Sequence, residues 1–148
     1  MKRVVRIYTD GSCLSNPGAG GYCAIMQWGP FEKVLTGGEQ NSTNNRMELT
    51  AVVEAISAVK NEKDISIDIY SDSQYVVSNA MSVSVWKKNG WRTKYGKIKN
   101  VDLWQRFESE MAKRKDCYIT FNKVPAHSGV VLNERCDGLA KAAAERFR

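Results

Sequence analysis

A short apolar run over residues 4–9 reads as a first strand, and two more, over 20–28 and 31–36, form a hairpin around Gly29-Pro30 that Gly37-Gly38 closes. The period then changes. Leu49, Val52, Val53, Ile56 and Val59 recur at helical spacing behind Ser42 and Thr43, residue types that cap helices. Ile65, Ile67 and Ile69 alternate with Ser66, Asp68 and Tyr70, the period of a strand, and this run ends at Asp72. A short helix is expected from Ser73, a longer one from about residue 101 to 113, and a last strand over 118–124. Asn133 then caps a terminal helix whose Leu139, Ala140 and Ala143 form an apolar stripe.

Three strands followed by strand–helix alternation predict an α/β fold, a mixed sheet covered by helices. The helix between the strands that end at Asp10 and Asp72 is a crossover, which makes those strands parallel neighbours. Ligands of such sheets bind beyond the carboxyl ends of the strands, so Asp10 and Asp72 belong to the functional edge. The 148 residues are expected to form one domain, 1–148, large enough to bury about two thirds of its unfolded surface.

Composition adds little until charge is located. Hydrophobic content of 43% and charged content of 26% are ordinary for a globular chain. No apolar run approaches a membrane span, and Arg6 and Asp10 interrupt any signal-peptide core, so a cytoplasmic protein with no membrane partner is expected. The cysteines (Cys13, Cys23, Cys117, Cys136) are far apart in sequence, which argues against zinc and for reduced thiols in or near a core. The net charge of +6 is carried by one stretch: residues 80–101 hold Lys87, Lys88, Arg92, Lys94, Lys97 and Lys99 and no acid. The other 16 basic residues balance the 16 acids, so this segment reads as a polyanion-binding patch.

Four acids fall at element ends: Asp10 and Asp72 after strands, Glu48 early in the long helix, Asp137 in the last one. Gathered at one point, four carboxylates would repel until some took up protons, a conflict that a divalent cation removes. Mg²⁺ prefers such oxygen ligands together with substrate phosphate, and four carboxylates suit two ions about 3.5–4 Å apart. Gly18-Ala19-Gly20-Gly21 is no nucleotide loop, because it lacks the G-x-G-x-x-G spacing, has no Gly-Lys-Ser/Thr and precedes a strand. Its glycines are expected to make a tight turn and let a bulky partner approach the backbone.

Taken in order, several stretches resemble type 1 ribonuclease H of the bacterial kind: Tyr8-Thr9-Asp10-Gly11-Ser12-Cys13 with Asn16-Pro17-Gly18; Thr43-Asn44-Asn45-Arg46-Met47-Glu48-Leu49; Asp72-Ser73-Gln74-Tyr75-Val76; Trp86-Lys87-Lys88 with Gly90-Trp91; Lys99-Asn100-Val101-Asp102-Leu103-Trp104; and Asn133-Glu134-Arg135-Cys136-Asp137. The resemblance implies a ribonuclease H-like fold, a five-stranded mixed sheet flanked by helices on both faces. It also implies an endonuclease that cuts the RNA strand of an RNA–DNA hybrid, and since no assembly motif in the sequence argues against it, a monomer is expected. By this resemblance Asp10, Glu48, Asp72 and Asp137 are the metal-binding and catalytic carboxylates, for Mg²⁺ or else Mn²⁺, as two ions with substrate. His127, the single histidine, takes the loop position that assists proton transfer or product release. Asn16, Asn44, Asn45 and Gln74 would read the minor groove, where the 2′-hydroxyl marks RNA. Thr43 would hold a DNA-strand phosphate, and the segment at about 80–101 becomes a basic protrusion whose Trp86, Lys87 and Lys88 meet the substrate.

Some positions depart from the family pattern. Ser82 stands where a further tryptophan is common, Ala126 precedes the loop histidine in place of glycine, Val130-Val131-Leu132 is apolar for an exposed loop, and Gly138 follows Asp137 where an acid is common. The competing readings are a transposase-type or other nuclease on this fold, a hybrid-binding module without turnover, and a small-molecule phosphatase. The basic segment counts against the last, and the retained acids against the second, since a pure binder gains nothing from negative charge where phosphates dock.

Overall fold

The computed structural model describes residues 2–125 and 131–148. Along the chain come β1 (Arg3–Cys13), β2 (Gly18–Trp28), β3 (Phe31–Ser42), α1 (Asn44–Ser57), β4 (Ile65–Ser71), α2 (Gln74–Ala80), α3 (Val83–Lys88), β5 (Arg92–Thr93), β6 (Gly96–Lys97), α4 (Val101–Lys113), β7 (Tyr118–Lys123) and α5 (Val131–Arg146). Five strands make one mixed sheet in the order β3-β2-β1-β4-β7, and β5 and β6 pair as a separate two-stranded ribbon. β1 is antiparallel to β2 and parallel to β4, the parallel pairing running from Arg3↔Ile65 to Thr9↔Ser71. That places Asp10 and Asp72 one residue beyond the last parallel pair.

Side-chain alternation along the strands divides the core into two layers. Val5, Ile7, Ala24, Met26, Ile65, Ile67 and Ile69 face the helical layer of α1, α2, α3 and α4, where Leu49, Val53, Val76, Trp104 and Phe107 are buried. On the opposite face Cys23 and Ile25 pack against Cys136 and Ala140 of α5. Helices therefore cover both faces, as expected. Cys23 and Cys136 are buried free thiols, and Cys13 and Cys117 are half-buried. Among the described residues no helix is long and apolar enough to cross a membrane.

Four local expectations are corrected, two of them on glycines. Gly37-Gly38 does not close the hairpin, since β3 continues through both to Ser42. A Cβ on Gly37 would strike the Tyr22 ring, and one on Gly38 would strike Gly20 O and the Phe147 ring; glycine serves close packing there. β1 does not stop at Thr9 but pairs with β2 as far as Cys13↔Gly20. Gly18 to Gly21 lie in β2, and Gly21 admits the backbone of α5, where a Cβ would overlap Ala140 O and Ala144 N. The close partner is the protein's own helix. Finally, Asn133 caps nothing: it lies within α5, buried.

The basic segment folds as α3 followed by the β5–β6 ribbon. Trp86 meets Trp104 edge-on with ring centroids 5.6 Å apart, and Trp86 and Trp91 are both half-buried against the main core. Lys87 Nζ pairs with Glu108 of α4 at 3.0 Å. The segment is thus anchored on α4 through its tryptophans, while its other cations remain at the surface.

Candidate active site

Each acid is delivered by an element whose ends are defined locally. Thr43, in extended conformation, caps α1 by accepting from Arg46 N at 3.2 Å, which makes Glu48 the fifth residue of the helix. Gly11 then brings that turn against β1, because a Cβ at Gly11 would overlap the Glu48 nitrogen and the Met47 carbonyl carbon. Only glycine allows β1 and α1 this close at the level of Asp10. Ser73 caps α2 by accepting from Val76 N at 3.2 Å, and its own N–H donates to Ser71 Oγ at 3.0 Å, so Asp72 is held in a tight strand-to-helix step.

Carboxylate oxygens of Asp10, Glu48 and Asp72 all lie within 4.8 Å of one another, the separation at which one cation reaches all three. Asp10 is 3% exposed and Glu48 9%. Burial is the main force on Asp10, whose carboxyl is pushed up to about 7; Asp72 and Asp137 push it further and bonding to Glu48 and Gly11 N–H opposes them. Glu48 is held well above the usual carboxylate range, again first by burial and then by Asp10. Two buried carboxyls that resist ionisation at neutral pH are a site short of positive charge.

A polar atom left over makes the same point. Glu48 Oε2 is buried with no hydrogen-bond partner among the described residues. Such a group costs about 1–3 kcal/mol unless something satisfies it, more when charged. A hard divalent cation fits this donor set, since it takes carboxylate oxygens and neutralises their charge together.

The fourth acid reaches the site through Asp10. Asp137 interacts with Asp10, yet its Oδ2 bridges Lys141 Nζ one turn along α5 at 3.0 Å, and it is not part of the close trio. His127 and Ala126 lie outside the described residues, as does Val130, whereas Val131 is exposed on α5 and Leu132 packs against the smaller core. Asn16 and Asn44 meet at the mouth of the site. Asn44 Oδ1 accepts from Cys13 N at 2.9 Å and Asn16 Oδ1 accepts from Asn44 N at 3.0 Å, which ties the β1–β2 turn to the start of α1. Asn45 is exposed beside them, and exposed Gln74 donates through Nε2 to Ser78 Oγ. Lys87 and Lys88 are exposed on α3 and are not part of the trio.

Three residues in this neighbourhood, Arg46, Tyr75 and Asn100, have roles that sequence spacing did not reveal. Arg46 forms a paired contact with Asp102, at 3.0 and 2.7 Å, and also reaches Glu39 at 3.2 Å. The Tyr75 hydroxyl accepts from Trp104 Nε1 at 3.0 Å and from Asn100 Nδ2 at 3.1 Å. All three lie inside the motifs that carried the resemblance, but only their tertiary partners show what they hold.

Comparison with known proteins agrees with this picture. A family model described as RNase H matches residues 2–145. A ribonuclease H of Dechloromonas aromatica is 46% identical over 149 residues, covering 99% of this chain and 97% of that protein. The crystal structure of LC9-RNase H1, described as a type 1 RNase H with the type 2 active-site motif, superposes with a TM-score of 0.82 at 27% identity, over 100% of this chain and 75% of that one. LC11-RNase H1, solved in complex with an RNA/DNA hybrid, shares the fold at a TM-score of 0.72 and 18% identity, covering 96% of this chain and 97% of that one.

Proposed function

Since the chain belongs to the ribonuclease H family, we propose that it is an endoribonuclease that hydrolyses the RNA strand of RNA–DNA hybrids, with Asp10, Glu48, Asp72 and Asp137 holding Mg²⁺, or else Mn²⁺, as two ions once substrate is bound. The observation that carries this reading is the convergence of three carboxylates just beyond the last β1–β4 pair and in the opening turns of α1, one of them with a buried oxygen that has no hydrogen-bond partner among the described residues. When bound, the divalent cations supply Lewis-acid polarisation of the scissile phosphate and a water of lowered pKa.

The surrounding residues position the hybrid. Asn16 and Asn44 spend their carbonyl oxygens inside the protein, so each turns its NH₂ donors outward, where a 2′-hydroxyl oxygen can accept. Gln74, whose NH₂ is taken by Ser78, offers its carbonyl to the hydroxyl proton. Asn45 extends this row. Thr43 accepts from Arg46 N and keeps its own O–H free to donate to a phosphate at the start of α1. Trp86 holds α3 against Trp104, and of the two lysines on that helix Lys88 offers its ammonium to the duplex directly, while Lys87 does so by leaving its pair with Glu108. His127 assists proton transfer or product release. One chain carries all the acids, so a monomer suffices.

The test uses end-labelled RNA–DNA, RNA–RNA and DNA–DNA duplexes incubated with Mg²⁺ and the protein or Asp10→Asn. Cleavage confined to the RNA of the hybrid, and lost with Asp10→Asn or chelator, is expected. Cutting of every duplex would keep the metal site but overturn the 2′-hydroxyl reading, and tight hybrid binding without cutting would make the protein a binding module.

A further inference from the structure

Two thiols that the proposed reaction does not use lie beside the carboxylate site. Cys23 of β2 and Cys136 of α5 are free cysteines, both 0% exposed. Cys136 Sγ donates toward the carbonyl oxygens of Cys23 and Tyr8, at 3.1 and 3.4 Å, and its sulfur also hydrogen-bonds with the Cys23 thiol. The backbones around the pair are themselves in contact. A Cβ at Gly21, two residues before Cys23 on the same face of β2, would overlap Ala140 O of α5, one turn after Cys136. Strand and helix approach here as closely as the chain allows, and the two sulfurs share that seam.

The seam borders the acids. Cys23 is the β1–β2 register partner of Asp10, and Cys136 immediately precedes Asp137 in α5. Asp137 interacts with Asp10 and bridges Lys141. To hold an ion together with Asp10 it must exchange that ammonium for the cation, which requires its turn of α5 to adjust. A covalent tie one residue earlier opposes the adjustment. Gly138 gives a small reagent its way in. It lies within α5, two residues after Cys136, and a Cβ there would meet nothing within 4 Å, so packing does not demand glycine. Glycine in place of alanine favours local opening of such a turn by about fivefold.

We propose that Cys23 and Cys136 form a dithiol that a hydroperoxide oxidises reversibly to a disulfide, tying α5 to β2 and suppressing cleavage. The effect on cleavage rests on the reading of Asp137 as a metal ligand. The Cys23 sulfur attacks one peroxide oxygen; the O–O bond breaks, a sulfenic acid forms, and the other oxygen leaves as water with the thiol proton. The Cys136 sulfur then attacks the Cys23 sulfur and expels the hydroxyl, which takes the Cys136 proton and leaves as a second water. The two thiols lose two electrons, and the peroxide gains them.

The test treats the whole chain with hydrogen peroxide in chelator and maps cysteine linkage by mass spectrometry of unreduced peptides. Cleavage of an RNA–DNA hybrid is then measured with Mg²⁺, before and after dithiothreitol. A Cys23–Cys136-linked species is expected, with kcat lowered about tenfold or more and restored by dithiothreitol. Cys23→Ala and Cys136→Ala should each keep their activity through the same treatment, and Gly138→Ala should lose it about fivefold more slowly than the unmodified protein. Linked protein that cleaves at the full rate, or inactivation that persists in both alanine variants, would overturn the switch. So would oxidation confined to the half-buried Cys13 and Cys117. A reduced protein that leaves the hybrid uncut would refute the proposed function and the switch with it, whereas one that cleaves while the pair stays unlinked refutes the switch alone.

Discussion

Replacing Asp10 by asparagine is expected to stabilise the metal-free protein at alkaline pH while abolishing cleavage. Asp10 is 3% exposed, and its carboxyl rises from the ordinary 3.8 to about 7 in the folded state. At about 1.4 kcal/mol per tenfold change in proton affinity, that difference corresponds to ~4 kcal/mol. Between these pH values the folded protein holds a proton that the unfolded chain has released, so stability falls as pH rises through the window. The cost is complete above about pH 7 and absent below about pH 4. Asparagine carries no charge at any pH and also relieves Glu48, which Asp10 pushes upward. Water entry and the remaining repulsion among the acids reduce the gain, and about 2 kcal/mol at pH 8 is expected. The assay is urea unfolding followed by circular dichroism, in chelator, at pH 8 and pH 4.5, for both proteins. The stability difference between the two should shrink toward zero at the lower pH. Added Mg²⁺ should stabilise the unmodified protein more than the variant. A variant less stable at pH 8, or equally stabilised at both pH values, would refute the electrostatic account of this site.

Two further substitutions probe how the site is built. Gly11→Ala forces a Cβ into the backbone of α1 at Glu48, so a loss of about 2–3 kcal/mol and a fall in Mg²⁺ affinity are expected in thermal melts and calorimetric titration. Unchanged stability would mean that α1 and β1 can separate at no cost. Gly138→Ala meets nothing within 4 Å on the exposed side of α5, and should raise stability by about 1 kcal/mol through helix propensity with cleavage retained. A loss of activity there would show that the departure at this position serves Asp137.

The local sequence determined more of this protein than its modest length suggests. The change of period from strand to helix placed Leu49, Val52, Val53 and Ile56 in the core and made β1 and β4 parallel neighbours. That crossover is why Asp10 and Asp72 were legible as one edge before any coordinate: strand polarity and connection handedness leave few alternatives. The helix starts behind Ser42 and Thr43 and at Ser73 were legible because a cap bond spans only three residues, and the structure gives the caps to Thr43 and Ser73. What stayed hidden depends on contacts between distant segments. Gly37 and Gly38 look like a turn and are strand, because the reason for glycine is Tyr22 and Phe147 across the fold. Asn133 looks like a cap and is buried inside α5. Asn100 is one polar residue among others in the sequence, and only the tertiary structure turns it to Tyr75 and Arg46. The contact of Asp137 with Lys141, made alongside its interaction with Asp10, is likewise visible only in the folded chain. Periodicity and capping are near-neighbour physics and can be read along the chain. Close backbone approach, side-chain partners and the protonation of buried acids depend on what the folded chain brings within a few ångströms, and those were decided by the fold.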